Sequence, residues 1–327
     1  MSESNVIGRK PRLGFIGLGW IGQHRMRALL EERACDVVAF VDPSLEVQEH
    51  VLELAPGAQL ASSVEELLAH ELDGAVIATP SALHADQAVA ALEAGVAVFC
   101  QKPLGRTAEE ARRVVDAARR ADRLLAVDFS YRFTRAAQAL KELDLGTVHA
   151  AELAFHNAYG PDKPWFYDPE LAGGGCAIDL GTHLVDLALW LLDWPEVETV
   201  DSTLLRRGAH EVEDYASARL GLSGGATIAL SCSWNLPAGR DCVIDAAFYG
   251  DNGGAAIRNV GGSFYDLRAE HFDGTAAEVL VEPPDDWGGR AIRDWARSLS
   301  LGEGFDREVE HAVDVSRTID HIYGRGP

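Results

Sequence analysis

Three side chains in this sequence have the chemistry needed to move a proton or to stabilise a negative charge. Lys102 is followed by Pro103, which keeps the lysine out of helical conformation and allows a cis peptide bond. Asp179 and His183 are four residues apart in a helical pattern, so we expect them to share one face of a helix. A carboxylate beside an imidazole orients the ring and favours its protonated form.

Such groups act on a substrate oxygen that gains or loses a proton. His183 would exchange that proton, and Lys102 would hydrogen-bond the same oxygen and stabilise the charge that develops on it. The sequence leaves open which of the two is the main acid–base group. The alternative is a lysine in a surface loop and an ordinary pair on a helix surface. The run Gly173-Gly174-Gly175 favours a site, because glycines let a ligand approach the backbone closely.

A glycine-rich segment near the start of the chain predicts a dinucleotide site. The run that begins at Gly17 matches the pattern G-x-G-x-x-G, follows a predicted strand and opens a predicted helix. Gly17 allows a tight turn, Gly19 lets the backbone approach a pyrophosphate, and Gly22 allows close packing of the helix on the strand. Trp20 and Ile21 begin the helix, whose free N–H groups attract phosphates. The alternative is a glycine turn in an unrelated α/β domain.

An acidic residue follows the loop at the distance expected for a ribose contact. Asp42 ends the second predicted strand, twenty positions beyond Gly22. Its carboxylate would accept hydrogen bonds from ribose hydroxyls and repel a 2′-phosphate, and the next residues, Pro43 and Ser44, supply no arginine. The sequence therefore predicts NAD as the cofactor, with NADP less favoured.

The elements that would position these residues fall into two groups. Up to residue 127, short apolar runs alternate with helical patterns, which is typical of a parallel sheet covered on both faces. Longer segments of alternating polar and apolar residues follow, which predicts mostly antiparallel strands. One helical pattern spans Cys176 to Leu192. We predict an α/β dinucleotide-binding domain over residues 1–127 and an α+β domain over residues 128–327.

The composition limits the partners of the protein. The chain has 327 residues, 47% hydrophobic and 24% charged, and a formal net charge of −22. A surface this acidic repels phosphate backbones and anionic membranes, so we expect neither nucleic acid nor membrane as a partner. The polar start of the chain and the lack of a long apolar run predict a cytoplasmic protein. The five cysteines lack C-x-x-C spacing, so we expect no disulfide framework and no metal.

Three further segments, taken with the glycine loop, resemble one family. They are Ala78-Thr79-Pro80 with His84, the run Gln101-Lys102-Pro103-Leu104, and the stretch from Gly173 to Asp186. In order and spacing they resemble the glucose–fructose oxidoreductase / inositol dehydrogenase (Gfo/Idh/MocA) family over about the first 190 residues. The rest of the chain is similar only in its strand-rich pattern.

This resemblance implies a Rossmann domain followed by an open, mostly antiparallel sheet, with the active site between them. It implies hydride transfer between a nicotinamide and a hydroxyl-bearing carbon, with Lys102, Asp179 and His183 at catalytic positions. Gln101 stands where the family usually has glutamate, which puts a secondary role of that acid near the nicotinamide in question. A homodimer or homotetramer is expected, because such sheets commonly pair between subunits.

Candidate contacts to cofactor and substrate complete the prediction. Besides the glycine loop and Asp42, we expect the cofactor to be bordered by Thr79, Pro80, His84, Gln101 and Lys102. Besides the three catalytic residues, the candidate substrate contacts are Arg132, Tyr159 and Trp165. For each of these, packing in the core or between domains is an equal alternative, and the same holds for Asp186.

Together these features predict an NAD-dependent dehydrogenase that interconverts a secondary alcohol and a ketone on a sugar, cyclitol or related polyol. One alternative is a non-sugar substrate, such as a dihydrodiol or a linear tetrapyrrole. Another is a non-catalytic NAD-sensing regulator of the same fold. Such regulators typically lack the lysine or the histidine, and this chain has both.

Overall fold

The computed structural model describes residues 9–285 and 287–326 of the chain. A parallel sheet forms the first part of the molecule. Its six strands are β1 (Arg12–Ile16), β2 (Asp36–Val41), β3 (Gln59–Leu60), β4 (Gly74–Ile77), β5 (Ala97–Cys100) and β6 (Leu125–Val127). They lie in the order β3-β2-β1-β4-β5-β6, and every neighbouring pair is parallel. The predicted parallel sheet is confirmed.

Five helices connect these strands and cover the sheet. They are α1 (Trp20–Glu31), α2 (Leu45–Leu54), α3 (Val64–Leu68), α4 (Ser81–Glu93) and α5 (Ala108–Ala121). The strand order reverses between β1 and β4, and in sheets of this kind ligands bind in the crevice at that point, beyond the carboxyl ends of the strands. The glycine loop, Thr79 and Lys102 follow β1, β4 and β5, so all three lie along this edge.

The second part of the chain contains an eight-stranded sheet. Its strands are β7 (Val148–Asn157), β8 (Val197–Leu205), β9 (Tyr215–Leu222), β10 (Thr227–Ser233), β11 (Cys242–Gly250), β12 (Gly253–Asn259), β13 (Leu267–Asp273) and β14 (Ala276–Val281). Their order is β14-β13-β12-β11-β7-β10-β9-β8. All neighbours are antiparallel except β7 and β10, which are parallel, so the prediction of a mostly antiparallel sheet is confirmed.

The second part of the chain also contains helices. They are α6 (Arg135–Lys141), α7 (Pro169–Ala172), α8 (Thr182–Leu191), α9 (Gly289–Ser300) and α10 (His311–Ile322). The single helix predicted from Cys176 to Leu192 is wrong in its first part, where a π-helical turn, Ala177–Gly181, precedes α8. Within residues 9–285 and 287–326, no helix combines the length and the apolar character of a membrane span.

Helix α9 belongs spatially to the first sheet, although it lies near the end of the chain. Its Ala291, Ile292 and Trp295 join the same buried cluster as residues of β1 and α1. The Trp295 ring lies 5.7 Å from the Phe99 ring on β5. The chain thus returns to the dinucleotide-binding half after completing the second sheet, and the division at residues 127 and 128 stays a prediction.

Candidate active site

The glycine loop has the backbone geometry that each glycine position requires. Gly17 has a φ of +78°, and a Cβ there would lie 2.8 Å from the Ala78 carbonyl oxygen. A Cβ on Gly22 would lie 2.5 Å from the Gly17 carbonyl oxygen, so only glycine lets α1 pack so closely. A Cβ on Gly19 would meet no atom within 4 Å. The backbone at Gly19 is therefore approachable by a ligand, whereas the other two glycines are needed by the fold itself.

Asp42 joins the end of β2 to this loop. Its Oδ2 accepts a hydrogen bond from the Leu18 N–H at 2.7 Å, and its Oδ1 accepts one from the Ser44 N–H at 2.9 Å. The side chain is nearly buried. Each carboxylate oxygen can accept a second hydrogen bond. The predicted ribose contact is compatible with this arrangement and stays a prediction.

The start of α1 fits a bound dinucleotide. Gly19 caps the helix without a side-chain hydrogen bond, so the first N–H groups of α1 have no side-chain acceptor at the cap. Trp20 is 59% exposed, and its ring stacks 6.2 Å from the ring of Trp287, while Ile21 is half-buried. The uncapped start of α1 therefore fits a pyrophosphate at the loop. That Trp20 and Ile21 contact the cofactor stays a prediction.

Lys102 is held by Asp179, and the predicted pairing of Asp179 with His183 is wrong. The Lys102 Nζ donates to Asp179 Oδ1 at 2.6 Å and to the Asp179 carbonyl oxygen at 2.9 Å. The other carboxylate oxygen, Oδ2, accepts from the Trp234 indole Nε1 at 3.1 Å. The Lys102–Pro103 peptide bond is cis. Asp179 therefore orients the lysine and not the histidine.

The π-helical turn explains this difference. Residues four apart share a face in an α-helix because it has 3.6 residues per turn, and a π turn changes that rotation. Glu213 secures the turn by accepting hydrogen bonds from the Gly175 and Ala177 N–H groups, both close to 3 Å. The Tyr323 hydroxyl donates to Glu213 Oε1 at 2.7 Å and accepts from the Ile178 N–H at 3.2 Å. A Cβ on Gly175 would collide with the Glu213 backbone.

His183 lies against aromatic rings beside the lysine. Its ring centre is 5.0 Å from that of Tyr131 and 6.1 Å from that of Phe155. Its Nδ1 is buried and has no hydrogen-bond partner in the described part of the chain. Burial, followed by the positive charges of Lys102 and Arg25, lowers the pKa of His183 well below its ordinary value. The expectation of a favoured protonated form is therefore wrong, and His183 is neutral at pH 7.

His84 is a structural residue rather than a cofactor contact, which corrects the prediction. Its Nδ1 lies 2.7 Å from the Pro103 carbonyl oxygen and its Nε2 lies 2.8 Å from the Thr79 carbonyl oxygen. Burial lowers the pKa of His84 in spite of these two acceptors. A neutral imidazole donates to only one of these oxygens at a time, but with both nitrogens facing the protein and the residue 1% exposed, His84 packs between the turn after Lys102 and the start of α4. Thr79 donates to Gln87, and Pro80 caps α4; their cofactor contacts stay predictions.

Arg132, a predicted substrate contact, is paired with Asp186. Its guanidinium forms a bidentate pair with Asp186, with Nε 2.9 Å from both carboxylate oxygens. It also lies 4.8 Å from the centre of the Phe129 ring and 4.7 Å from that of Trp194. The Asp186 side chain is buried. Asp186 and two aromatic rings therefore hold the Arg132 guanidinium, and its contact with substrate stays a prediction.

The two aromatic candidates lie in the segment after β7. Tyr159 is 52% exposed. Trp165 stacks on Phe166 at 3.9 Å between ring centres, and Phe166 in turn packs edge-on against Trp234, the donor to Asp179. Trp165 is thus connected to the Asp179 carboxylate through the rings of Phe166 and Trp234. Both stay predictions as substrate contacts.

Several residues of this site were not found from the sequence. Arg25 forms a buried ion pair with Asp128, and Trp234 and Glu213 hold the π turn and its carboxylate. Arg25 and Asp128 are separated by 103 positions, and no local pattern joins them. Asp128 directly follows β6, however, and the rule that pointed to Lys102 after β5 would also have indicated Asp128.

The fold and the loop define a class of protein: an oxidoreductase with a dinucleotide-binding Rossmann domain. The family model described as "Oxidoreductase family, NAD-binding Rossmann fold" matches residues 11–129, and the "GFO/IDH/MocA C-terminal domain" matches residues 133–256. The chain belongs to the GFO/IDH/MocA oxidoreductase family. The resemblance stated from the sequence motifs is confirmed.

Individual proteins of this family are similar over most of their length. D-glucoside 3-dehydrogenase of Escherichia coli is 28% identical over 78% of this chain and 79% of the relative. Rhizopine catabolism protein MocA of Rhizobium meliloti is 30% identical over 76% of this chain and 78% of the relative. The crystal structure of GenD2 from gentamicin A biosynthesis, in complex with NAD, is similar with a TM-score of 0.84 and 25% identity over 99% of this chain and 96% of that chain.

Proposed function

We propose that this protein is an NAD-dependent dehydrogenase that interconverts a secondary alcohol and a ketone on a sugar, cyclitol or related polyol. The observation that carries the proposal is the 2.6 Å ion pair between Lys102 and Asp179, next to His183. The positive charge of Lys102 helps to lower the pKa of His183, which is neutral. These groups lie along the sheet edge that also holds the glycine loop. A proton acceptor and a cation beside a dinucleotide site are what alcohol oxidation requires.

The geometry supports different roles for the two catalytic side chains. Neutral His183 is able to accept the proton of a substrate hydroxyl, because its imidazole is unprotonated at pH 7. Lys102, fixed by Asp179 at two oxygens, donates a hydrogen bond to the same substrate oxygen as negative charge develops there. NAD, when bound, supplies the hydride acceptor. In the direction of reduction the same two groups return the proton and stabilise the carbonyl oxygen.

The substrate class is proposed from the relatives, whose names include a glucoside dehydrogenase and a rhizopine catabolism protein. The test measures NADH absorbance while the enzyme is incubated with NAD and a panel of inositols, aldoses and alkyl glycosides, alongside His183→Ala. We expect turnover on at least one member and a loss of about 10²–10⁴-fold in the variant. Tight NAD binding without turnover on any polyol would instead support a regulator, and turnover unaffected by the substitution would exclude His183 as the base.

Selectivity for NAD is proposed to depend on Asp42. Removing its charge in Asp42→Ser lowers the repulsion of a 2′-phosphate, so the ratio of kcat/KM for NAD over NADP should fall by about tenfold or more. Asp36→Ser is the matched control, because Asp36 begins the same strand at the opposite edge of the sheet. An unchanged ratio in Asp42→Ser would remove this role. The homo-oligomer and the cytoplasmic location stay predictions.

A further inference from the structure

Three side chains form a buried polar cluster beneath the catalytic residues. The Arg25 Nε donates to Asp128 Oδ2 at 2.5 Å, and both side chains are at most 1% exposed. The Gln101 side-chain amide donates to the same oxygen. Asp128 Oδ1 is buried without a hydrogen-bond partner in the residues that the structure describes. The proposed mechanism assigns none of these three groups a role.

The cluster connects the glycine loop to the catalytic pocket. Arg25 lies in α1, one turn beyond the loop, and Gln101 immediately precedes Lys102. The Arg25 guanidinium lies 4.9 Å from the centre of the Trp287 ring, which is 6.1 Å from the ring of Tyr131. The Tyr131 ring in turn packs edge-on against His183. Elements of both halves of the molecule therefore fix the position of Arg25 relative to His183.

The charges of the cluster add to zero, and this depends on Gln101. Arg25 contributes one positive charge, Asp128 one negative charge, and the amide none. A buried ion must be paired, because removing one partner leaves an uncompensated charge in the interior and strongly destabilises the fold. A second carboxylate at position 101 would contact Asp128 and repel it. The neutral amide instead donates a hydrogen bond that stabilises the ion pair.

Three ionisable groups in the described part of the chain act on the His183 ring or contact it. Lys102 approaches from the end of β5, Arg25 from α1, and the phenol of Tyr131 from the short helix after β6. A small cavity beside the ring is bordered by apolar side chains of the second sheet: Phe155, Ile244, Ile257 and Leu267. Burial lowers the pKa of this imidazole most, and Lys102 and Arg25 are the two cations that lower it further.

We propose that Arg25, Asp128 and Gln101 form a positioning triad in which Asp128 fixes the Arg25 charge beside His183 and so keeps the imidazole ready to accept a proton. This proposal rests on the proposed function only for the assumption that the proton comes from a substrate hydroxyl. Its members do not touch the reacting atoms; they act through His183. Gln101 is the member that lets the triad stay neutral.

The experiment follows the His183 ring by NMR titration in histidine-labelled protein, with the signal assigned by its loss in His183→Asn. Arg25→Gln/Asp128→Asn replaces the ion pair with amides that can still hydrogen-bond. We expect the His183 titration to move upward by about one pH unit, because one of the two cations has been removed. In Asp128→Asn, which leaves Arg25 uncompensated, the titration should move downward.

A rescue variant and a control complete the test. The double variant Gln101→Glu/Asp128→Asn moves the carboxylate from the end of β6 to the end of β5 and keeps the net charge of the cluster at zero. Its His183 titration should therefore stay within about 0.3 pH unit of that in the parent protein. Arg113→Met/Asp86→Asn removes an exposed ion pair and should change nothing. An unchanged titration in the first two variants would overturn the triad. Because the measurement needs no turnover, it separates failure of the triad from failure of the proposed dehydrogenase activity.

Discussion

The glycine loop and the catalytic pocket are built in opposite ways. The loop consists of six consecutive residues, and its function depends on backbone angles and on the absence of Cβ atoms. The pocket consists of side chains from distant segments, with 77 positions between Lys102 and Asp179. A local structure is specified by its own residue types, whereas the pocket depends on how two sheets and a π turn come together. Changes in the two regions should therefore have different consequences for binding and for chemistry.

The largest expected effect is a loss of chemistry with cofactor binding retained. Lys102→Met removes the cation that Asp179 holds, and we expect kcat to fall by about 10³-fold. The NAD dissociation constant should change much less than kcat, because Lys102 is one predicted cofactor contact among several and the glycine loop is intact. Stopped-flow kinetics and fluorescence titration of NAD measure the two quantities. If kcat stayed within tenfold of the parent enzyme, the pocket would not be the catalytic site.

The next effect separates two glycines of the same loop. Gly22→Ala places a Cβ against the Gly17 carbonyl oxygen and should lower the free energy of unfolding by about 1–3 kcal/mol. Gly19→Ala meets no protein atom, so the unfolding free energy should change by less than about 0.5 kcal/mol while NAD binding weakens. Urea denaturation and NAD titration of both variants provide the comparison. Equal stabilities of the two variants would contradict the packing role of Gly22.

A smaller effect is expected from removing the indole that hydrogen-bonds the Asp179 carboxylate. Trp234→Phe removes the indole donor to Asp179 Oδ2 and keeps an aromatic ring for Phe166 and Tyr167 to pack against. We expect kcat to fall by about fivefold, equivalent to one hydrogen bond of about 1 kcal/mol. Trp194→Phe is the control, since Trp194 stacks on His311 and does not contact Asp179. A larger loss in the control than in Trp234→Phe would contradict this assignment.

The smallest effect at neutral pH concerns stability. Because burial lowers the pKa of His183 in the folded protein, the unfolded chain binds a proton below pH 6.5 that the folded chain does not. This histidine therefore lowers stability as the pH falls below about 6.5, by up to about 1.4 kcal/mol per pH unit. His183→Gln should reduce the slope of unfolding free energy against pH between about pH 6.5 and 5. An unchanged slope would show that His183 is protonated in the folded protein.

The contrast between the regions also explains what the sequence could predict. Gly17, Gly22 and Asp42 form a pattern with fixed spacing, and their packing follows from the strand and helix that flank them. Lys102 could be placed at the sheet edge because it follows a buried strand. These inferences need only local structure and the order of parallel strands.

The side-chain pairings of the pocket needed information that spacing does not contain. Asp179 and His183 fit an α-helical spacing, but the π turn, which is secured by Glu213 from another strand region, rotates them apart. Arg132 and His84 have the right chemistry for ligands, yet tertiary partners engage them. Strand β12 also carries a weak signal, because it begins Gly-Gly-Ala-Ala and has few β-branched or aromatic residues.

The return of α9 to the first sheet has a consequence for how the protein is made. During synthesis the ribosome releases residues 9–127 long before residues 289–300, yet Trp295 covers Phe99 and fits against Gly74. A nascent chain ending after β6 therefore exposes the apolar surface that α9 covers in the folded protein. Contacts of such long range slow folding and prolong exposure to aggregation. The dinucleotide-binding half is consequently completed by residues 289–300 and not by the first segment alone.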